Sequence, residues 1–453
     1  MKRRQSTPSL PELLQEETGN LYLIMEAASS EALRMDRYLS WNELRHRLPP
    51  SGLSSRQWWL GIKLHRSQAR QELPLHTAKG STLNFASTPY IQQHLHKVDR
   101  AAGAILMTDA DALFNVKERD KYLLTSIAEE AIMSSMLEGA VVTRSEAKEL
   151  IRSNRTPKDE HEQMVMNNYR TMQMILQHKD RPLSPDFILS LHRSMVEGTL
   201  KYPDKAGTFR TAEDKVYIED VRSGDIIHVP PAADTLPSRL EALCRFANGE
   251  NGNEQYIHPV VRAIILHFQL AFDHPFVDGN GRTARALFYW AMLKAGYWLF
   301  EYISISREIY RHPRGYYESF LNTEEDSNDL NYFIINQLQT ILQSIDALMS
   351  HVRDKQKLQD KLHQSLESSF ATLNHRQRQV LQFFLQHPNS YTSVSLHCKQ
   401  HGIVRQTART DLNDLVELGF LTSQSISREF IYKPLPNLEE KISLSANSSA
   451  NIG

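Results

Sequence analysis

Apolar residues return at steps of three or four along most of this chain, and that period predicts a mainly α-helical protein. Between Pro259 and Phe272 the stripe runs through Val260, Ala263, Ile264, His267, Phe268 and Ala271. It resumes near Thr283 with Ala286, Leu287, Trp290, Ala291 and Leu293, so a short loop joins two helices. Asp120 to Leu137 carries Leu123, Leu124, Ile127, Ala131, Ile132 and Met136 in the same period, and Gly139 follows as a C-cap. The period shifts to β-branched runs at Val216-Tyr217-Ile218 and Ile226-Ile227-His228-Val229, which flank Arg222-Ser223-Gly224-Asp225 and read as a hairpin.

These patterns divide the chain. Residues 1–20 are expected to be poorly ordered. Residues 21–116 form a helical region whose Trp41, Trp58 and Trp59 are expected in its core, with a turn at Leu48-Pro49-Pro50-Ser51-Gly52. Residues 117–345 hold all the candidate chemistry. Residues 346–372, with Leu348, Val352, Leu358, Leu362 and Leu366, read as a connecting helix. In residues 373–434, Asn374–Leu385, Tyr391–Gln400 and Arg405–Leu418 read as three helices, and Phe420–Ser425 and Glu429–Lys433 as two strands. Residues 435–453 read as a disordered tail.

The loop between the two central helices is His274-Pro275-Phe276-Val277-Asp278-Gly279-Asn280-Gly281-Arg282-Thr283-Ala284-Arg285. It ends at a helix N-terminus, where unpaired N–H groups and the positive end of the helix dipole attract phosphate. Gly279 and Gly281 can take positive φ and turn successive amides inward. Arg282 and Arg285 offer forked cationic partners for outer phosphates, and Asp278 offers a hard oxygen ligand for Mg²⁺. His274, at the other end, is the group that titrates near neutral pH and can serve as a base. A calcium loop fails at the sixth position from Asp278, where an EF-hand needs glycine, and a P-loop fails for want of a lysine.

The stretch resembles the signature of the Fic family, His-x-Phe-x-Asp/Glu-Gly-Asn-Gly-Arg-x-x-Arg, at every defined position. The resemblance implies a helical enzyme that moves AMP from ATP onto a Ser, Thr or Tyr hydroxyl of a protein, with Mg²⁺. His274 would then deprotonate the target, and Asp278 would bind Mg²⁺. Asn280, Gly279 and Gly281 would hold the α- and β-phosphates, Phe276 would anchor the loop, and Arg282 would meet the outer phosphates. Asp273 departs from the pattern, which often has an apolar residue there; its carboxylate would raise the pKa of His274 or face solvent.

Ser134 and Glu138 share a face of the earlier helix, and Glu138 sits at its negative end, where a cationic partner would relieve the conflict. Ser134-Ser135-Met136-Leu137-Glu138-Gly139 resembles the inhibitory helix of Fic proteins. There the glutamate pairs with the second motif arginine, here Arg285, and keeps the γ-phosphate from docking. In some relatives it also positions a water that removes AMP. The same resemblance makes Val216, Tyr217, Ile218, Ile226, Ile227 and His228 a flap that aligns a target segment by strand addition. It also sets Tyr317 beside adenine.

The C-terminal pattern resembles a winged helix-turn-helix, which would offer Arg405, Gln406 and Arg409 to a DNA major groove. Asp411, Asp414 and Glu417 follow on that helix, and the module's seven Lys/Arg exceed its four Asp/Glu by only three. DNA, another protein and a second copy of this chain therefore stay open as its partners. A DNA-binding regulator that uses the core as an ATP sensor is the competing function.

Composition narrows little else. The 453 residues carry a net charge of −1, which gives no global pull toward nucleic acid or anionic membrane. Two cysteines without metal-ligand spacing fit a reducing cytoplasm, and neither a signal peptide nor a membrane span is expected.

Overall fold

The structure is a computed structural model that describes residues 6–17, 19, 21–32, 38–50, 52–102, 116–219, 224, 226–250, 256–368, 373–386, 390–426, 429–438 and 440–442. Two compact units divide the chain at 348/349. In the first, the helices are α1 (Leu10–Glu16), α2 (Leu21–Ala32), α3 (Trp41–Leu44), α4 (Ser55–Gln68), α5 (Pro89–Ala102), α6 (Val116–Leu137), α7 (Arg144–Ser153), α8 (Glu160–His178) and α9 (Pro185–Val196). They continue with α10 (Leu236–Asn248), α11 (Pro259–Asp273), α12 (Asn280–Lys294), α13 (Ile305–Arg311), α14 (Pro313–Glu325) and the part of α15 (Asn331–Ser368) up to residue 348. Two antiparallel hairpins interrupt them: β1 (Arg70–His76) with β2 (Thr82–Ala86), and β3 (Ile218–Glu219) with β4 (Ile226–His228). The protein is mainly α, as its period predicts.

The site is built on α11. Pro259 at its first turn and the His258 ring, which accepts from the Val260 N–H, start the helix, and nearly every residue from Val260 to Phe272 is buried. A helix apolar all round must lie inside others. Here α12 packs on it, while α8 and α9 pack on α12.

The region before α6 is bound to the rest of its unit by a buried ion cluster. Lys63 bonds Asp326, Arg66 bonds the Tyr332 hydroxyl at 2.8 Å, and the Tyr38 hydroxyl bonds Asp329 at 2.6 Å. Trp41, Trp58 and Trp59 lie in the core, as expected. Residues 1–20 are not wholly irregular. Ser9 and Glu12 form a capping box that starts α1, whose Leu13 is buried among the tryptophans' neighbours. Residues 1–5, 18 and 20 lie outside the described ones. The connecting helix does not begin at 346: α15 is continuous from Asn331, so one helix both closes the first unit and leaves it.

The second unit holds α16 (His375–Gln386), β5 (Thr392–Ser393), α17 (Val394–His401), α18 (Arg405–Glu417), β6 (Leu421–Ile426) and β7 (Glu429–Pro434). Its sheet has the order β5-β7-β6, one strand more than the two expected, because Thr392 and Ser393 pair with β7 before α17 begins. The start of the expected tail is also packed: Leu438 and Ile442 join Leu381, Phe384 and Leu412 in the core, and Lys441 caps the Leu418 carbonyl. Residues 443–453 lie outside the described ones.

Candidate active site

His274 ends α11 in the left-handed conformation (φ 45°, ψ 57°), which turns the chain sharply into the loop. Its Nδ1 lies 3.3 Å from the Ala271 carbonyl. A carbonyl only accepts, so this contact places the ring proton on Nδ1 and leaves a lone pair on Nε2. Burial pushes the imidazole pKa down to about 4, against the Ala271 bond and the Glu138 charge, which both push it up. The ring is therefore neutral at pH 7. Asp273 neither faces solvent nor acts on that ring as expected; its buried carboxylate turns to Arg239 at 3.0 Å and Gln269 at 2.8 Å.

The loop is braced from inside. Phe276 is fully buried, stacked on His192 at 3.7 Å between ring centres. His192 accepts the Gly207 N–H at Nδ1 and so donates from Nε2 to the Asp278 carbonyl at 3.0 Å. The Asn280 side chain bonds both the N–H and the carbonyl of Phe276 at 2.9 Å, so it staples the loop, and only its backbone amide is left to meet a phosphate. Arg282 also faces inward, bonded to Asp278 at 3.1 Å and to the Met195 carbonyl at 3.3 Å, with no exposed side-chain surface. Its expected contact with outer phosphates is not open in this conformation.

Gly279 takes φ 78° and caps α12, whose backbone ladder begins only at Thr283. The amides of the first turn therefore lack partners within the helix. Gly281, in contrast, is helical, and positive φ is not what it supplies. A Cβ there would strike the Glu138 carboxylate and come within 3.1 Å of Arg285, so what this position provides is clearance.

Asp278 is half exposed. Among the described residues no cluster of three or more His, Cys, Asp or Glu could hold a metal by itself. One carboxylate beside free amides suits Mg²⁺, which keeps waters and borrows phosphate oxygens.

The structure brings Ser134 and Glu138 to Arg285 across 151 and 147 residues of sequence. Arg285 donates to the Glu138 carboxylate at 2.9 Å, to Ser134 Oγ at 2.9 Å and to the Ser134 carbonyl at 3.0 Å. Burial works against the guanidinium's charge, but Glu138 and its other neighbours outweigh that and raise its pKa. Glu130, one turn before Ser134 on the same face, is also buried. It accepts from the Tyr289 and Ser304 hydroxyls at 2.9 and 2.7 Å and from the Ser306 amide and hydroxyl, and burial pushes its carboxyl up.

In the β3–β4 hairpin Ile218 pairs with His228 and Glu219 with Ile226. Tyr217, Ile226 and Val229 are exposed, but His228 is not a docking residue: it is buried and bonded to the Phe272 carbonyl and to Glu324. The hairpin's tip residues 220–223 and 225 lie outside the described ones. Tyr317 is half exposed and set edge-on to Tyr316; burial and then the Glu138 charge push its phenol up, so it borders the same site. His192, Arg210, Arg239 and Glu130 went unread in the sequence, although Glu130 stands four residues before Ser134 and eight before Glu138.

Residues 182–292 match the model of the Fic/DOC family. Over 119 residues the chain is 31% identical to the protein adenylyltransferase Fic of Nematostella vectensis, covering 26% of this chain and 25% of that one. Over 110 residues it is 36% identical to the protein adenylyltransferase Fic of Drosophila melanogaster, covering 24% of this chain and 20% of that one. The matches thus span a quarter or less of these relatives. A crystal structure of a Fic family protein from Desulfovibrio desulfuricans G20 shares the fold with a TM-score of 0.52 at 19% identity, over 78% of this chain and 97% of that one.

Proposed function

We propose that this chain, which carries a Fic domain over residues 182–292, is a protein adenylyltransferase held in check by Glu138. The reading rests most on one observation: the His274 imidazole, its Nδ1 against the Ala271 carbonyl, stands at one end of a loop whose other end is the unpaired first turn of α12. In the reaction a Ser, Thr or Tyr hydroxyl of the target gives its proton to His274 Nε2, and its oxygen attacks the α-phosphorus of ATP. The bond from that phosphorus to the β-phosphate bridging oxygen breaks, and pyrophosphate leaves. The amides of Asn280, Gly281 and Arg282 donate to phosphate oxygens, Arg282 holds Asp278 in place, and Asp278 would hold Mg²⁺. When bound, Mg²⁺ neutralises phosphate charge. Glu138 ties up Arg285, a cation the outer phosphates need, so release of Glu138 is the activating event. A water held by the same carboxylate would serve AMP removal.

Labelled ATP and a cell extract test this reading. Transfer of AMP to protein with release of pyrophosphate supports it, while ATP binding without turnover would favour the sensor alternative. The exposed edge at Tyr217 and Ile226 is where we would seat the target segment, and the unpaired cysteines suit a reducing cytoplasm. Among the described residues, no helix is long and apolar enough to cross a membrane.

The second unit admits a DNA-binding reading on one observation of its own. Asp411 is buried among Arg376, Asn374 and His397, so it does not oppose the exposed Arg405, Gln406 and Arg409 on α18. A mobility-shift assay across salt concentrations decides it: binding that weakens steeply with salt supports DNA, and no shift at low salt removes it in favour of a protein partner or a second copy.

A further inference from the structure

The last carbonyls of an α-helix have no partner within it, and the negative end of the helix dipole gathers there. At the end of α11 four consecutive carbonyls, from Phe272 to Pro275, are all met by groups from outside the helix. The His228 Nε2–H donates to Phe272 at 2.8 Å. Arg210 takes the other three: Nη2 to Asp273 at 3.4 Å, Nε to His274 at 2.8 Å, and its own backbone N–H to Pro275 at 2.9 Å. Arg210 is buried, and its Nη2 also bonds the Pro231 carbonyl just past the β3–β4 hairpin.

We propose that Arg210, with His228 beside it, is a positioning residue for His274: it holds the left-handed turn that aims the imidazole and ties that turn to the hairpin. This rests on the reading of His274 as the base. The reason is mechanical. A non-glycine residue at φ 45° persists only where its surroundings over-determine it, and three of the four carbonyls around His274 are held by one side chain and its own amide. Because Arg210 also grips Pro231, and His228 lies within β4, a segment docked on the hairpin would be registered against the same carbonyls that fix the base. The charge of Arg210 also works against protonating His274.

Lysine cannot replace this fork, since it carries a point charge with no fixed pair of donors. The experiment uses the full chain with Glu138→Gly, so that transfer is released, and adds Arg210→Lys, Arg210→Gln or His228→Gln. We expect Arg210→Lys to lower kcat about 100-fold, the cost of roughly an ångström of misplacement, with KM for ATP within about threefold. Arg210→Gln should do the same and also shift the acid limb of the pH profile upward, while His228→Gln should lower kcat less. A second readout is independent of turnover: the ring-nitrogen NMR signals of His274, assigned by their loss in His274→Ala, should change in both Arg210 variants. Parental kcat in Arg210→Lys, or unchanged His274 signals in both Arg210 variants, would overturn the proposal. If His274→Ala still transfers AMP, the base reading fails, and the NMR signals still decide whether Arg210 sets the ring.

Discussion

The Glu138 carboxylate occupies the ground that any side chain at Gly281 would need, so the acidic plug lies directly on the first turn of α12. That turn is where amides without helical partners would face a phosphate, and Arg285, a buried cation on the same helix, is bonded to the same carboxylate at 2.9 Å. Glu138→Gly should therefore raise AMP transfer by about 5- to 150-fold, the range spanned by ordinary coupling energies. Initial rates of self-modification with labelled ATP measure this. An unchanged rate would remove autoinhibition from the reading.

His274 supplies the next test. A base loses its function when protonated, and burial holds this one down at about 4. The limb of kcat/KM that belongs to this group should thus fall only near pH 4, not near 6.5 where an ordinary histidine titrates. His274→Ala should lower the rate by about 10²- to 10⁴-fold. A limb near 6.5 would mean that the ring is solvated in the working enzyme.

Glu130 supplies a test of stability. It accepts from two hydroxyls and from the Ser306 amide and hydroxyl, donors that a glutamine can satisfy only in part. Glu130→Gln should cost about 1–3 kcal/mol of unfolding free energy. Urea denaturation measures it, and a loss within error would show that the carboxyl is already protonated in the native state.

Gly279 is constrained twice, by φ 78° and by Val196, whose Cγ1 would lie 2.7 Å from an added Cβ. Gly279→Ala should destabilise by about 1–3 kcal/mol and lower ATP affinity, because the cap of α12 must shift. Thermal unfolding with and without ATP separates the two effects.

The loop from His274 to Arg285 is legible because its chemistry is contiguous; helical spacing sets Glu138 beside Ser134, but its pairing with Arg285 is legible only through the resemblance to the Fic inhibitory helix. Arg210 was not: its partners lie 64 residues away at His274, and nothing local marks a guanidinium as a helix cap. Motif order gives residue type but not side-chain direction, so it does not show that the Asn280 and Arg282 side chains turn inward and leave their backbone amides toward the phosphate site. Asp411 was counted against DNA binding although it falls in step with Ala408, Leu412 and Leu415, the buried face of α18. The disordered tail expected from residue 435 does not hold at its start, where Leu438 and Ile442 are buried in the core of the second unit.

The cluster that joins Lys63 and Arg66 to Asp326 also sets what can be made in the laboratory. Trimming the chain to the span 182–292 would discard both cations and both acids along with α6; starting it just before α6 would leave the buried Asp326 without its counter-ions and the buried Asp329 without the Tyr38 hydroxyl. Stranding a buried charge costs about 3–5 kcal/mol, a large part of what an ordinary domain has to spare. A fragment that keeps Asp326 should therefore keep Lys63 and Arg66 as well.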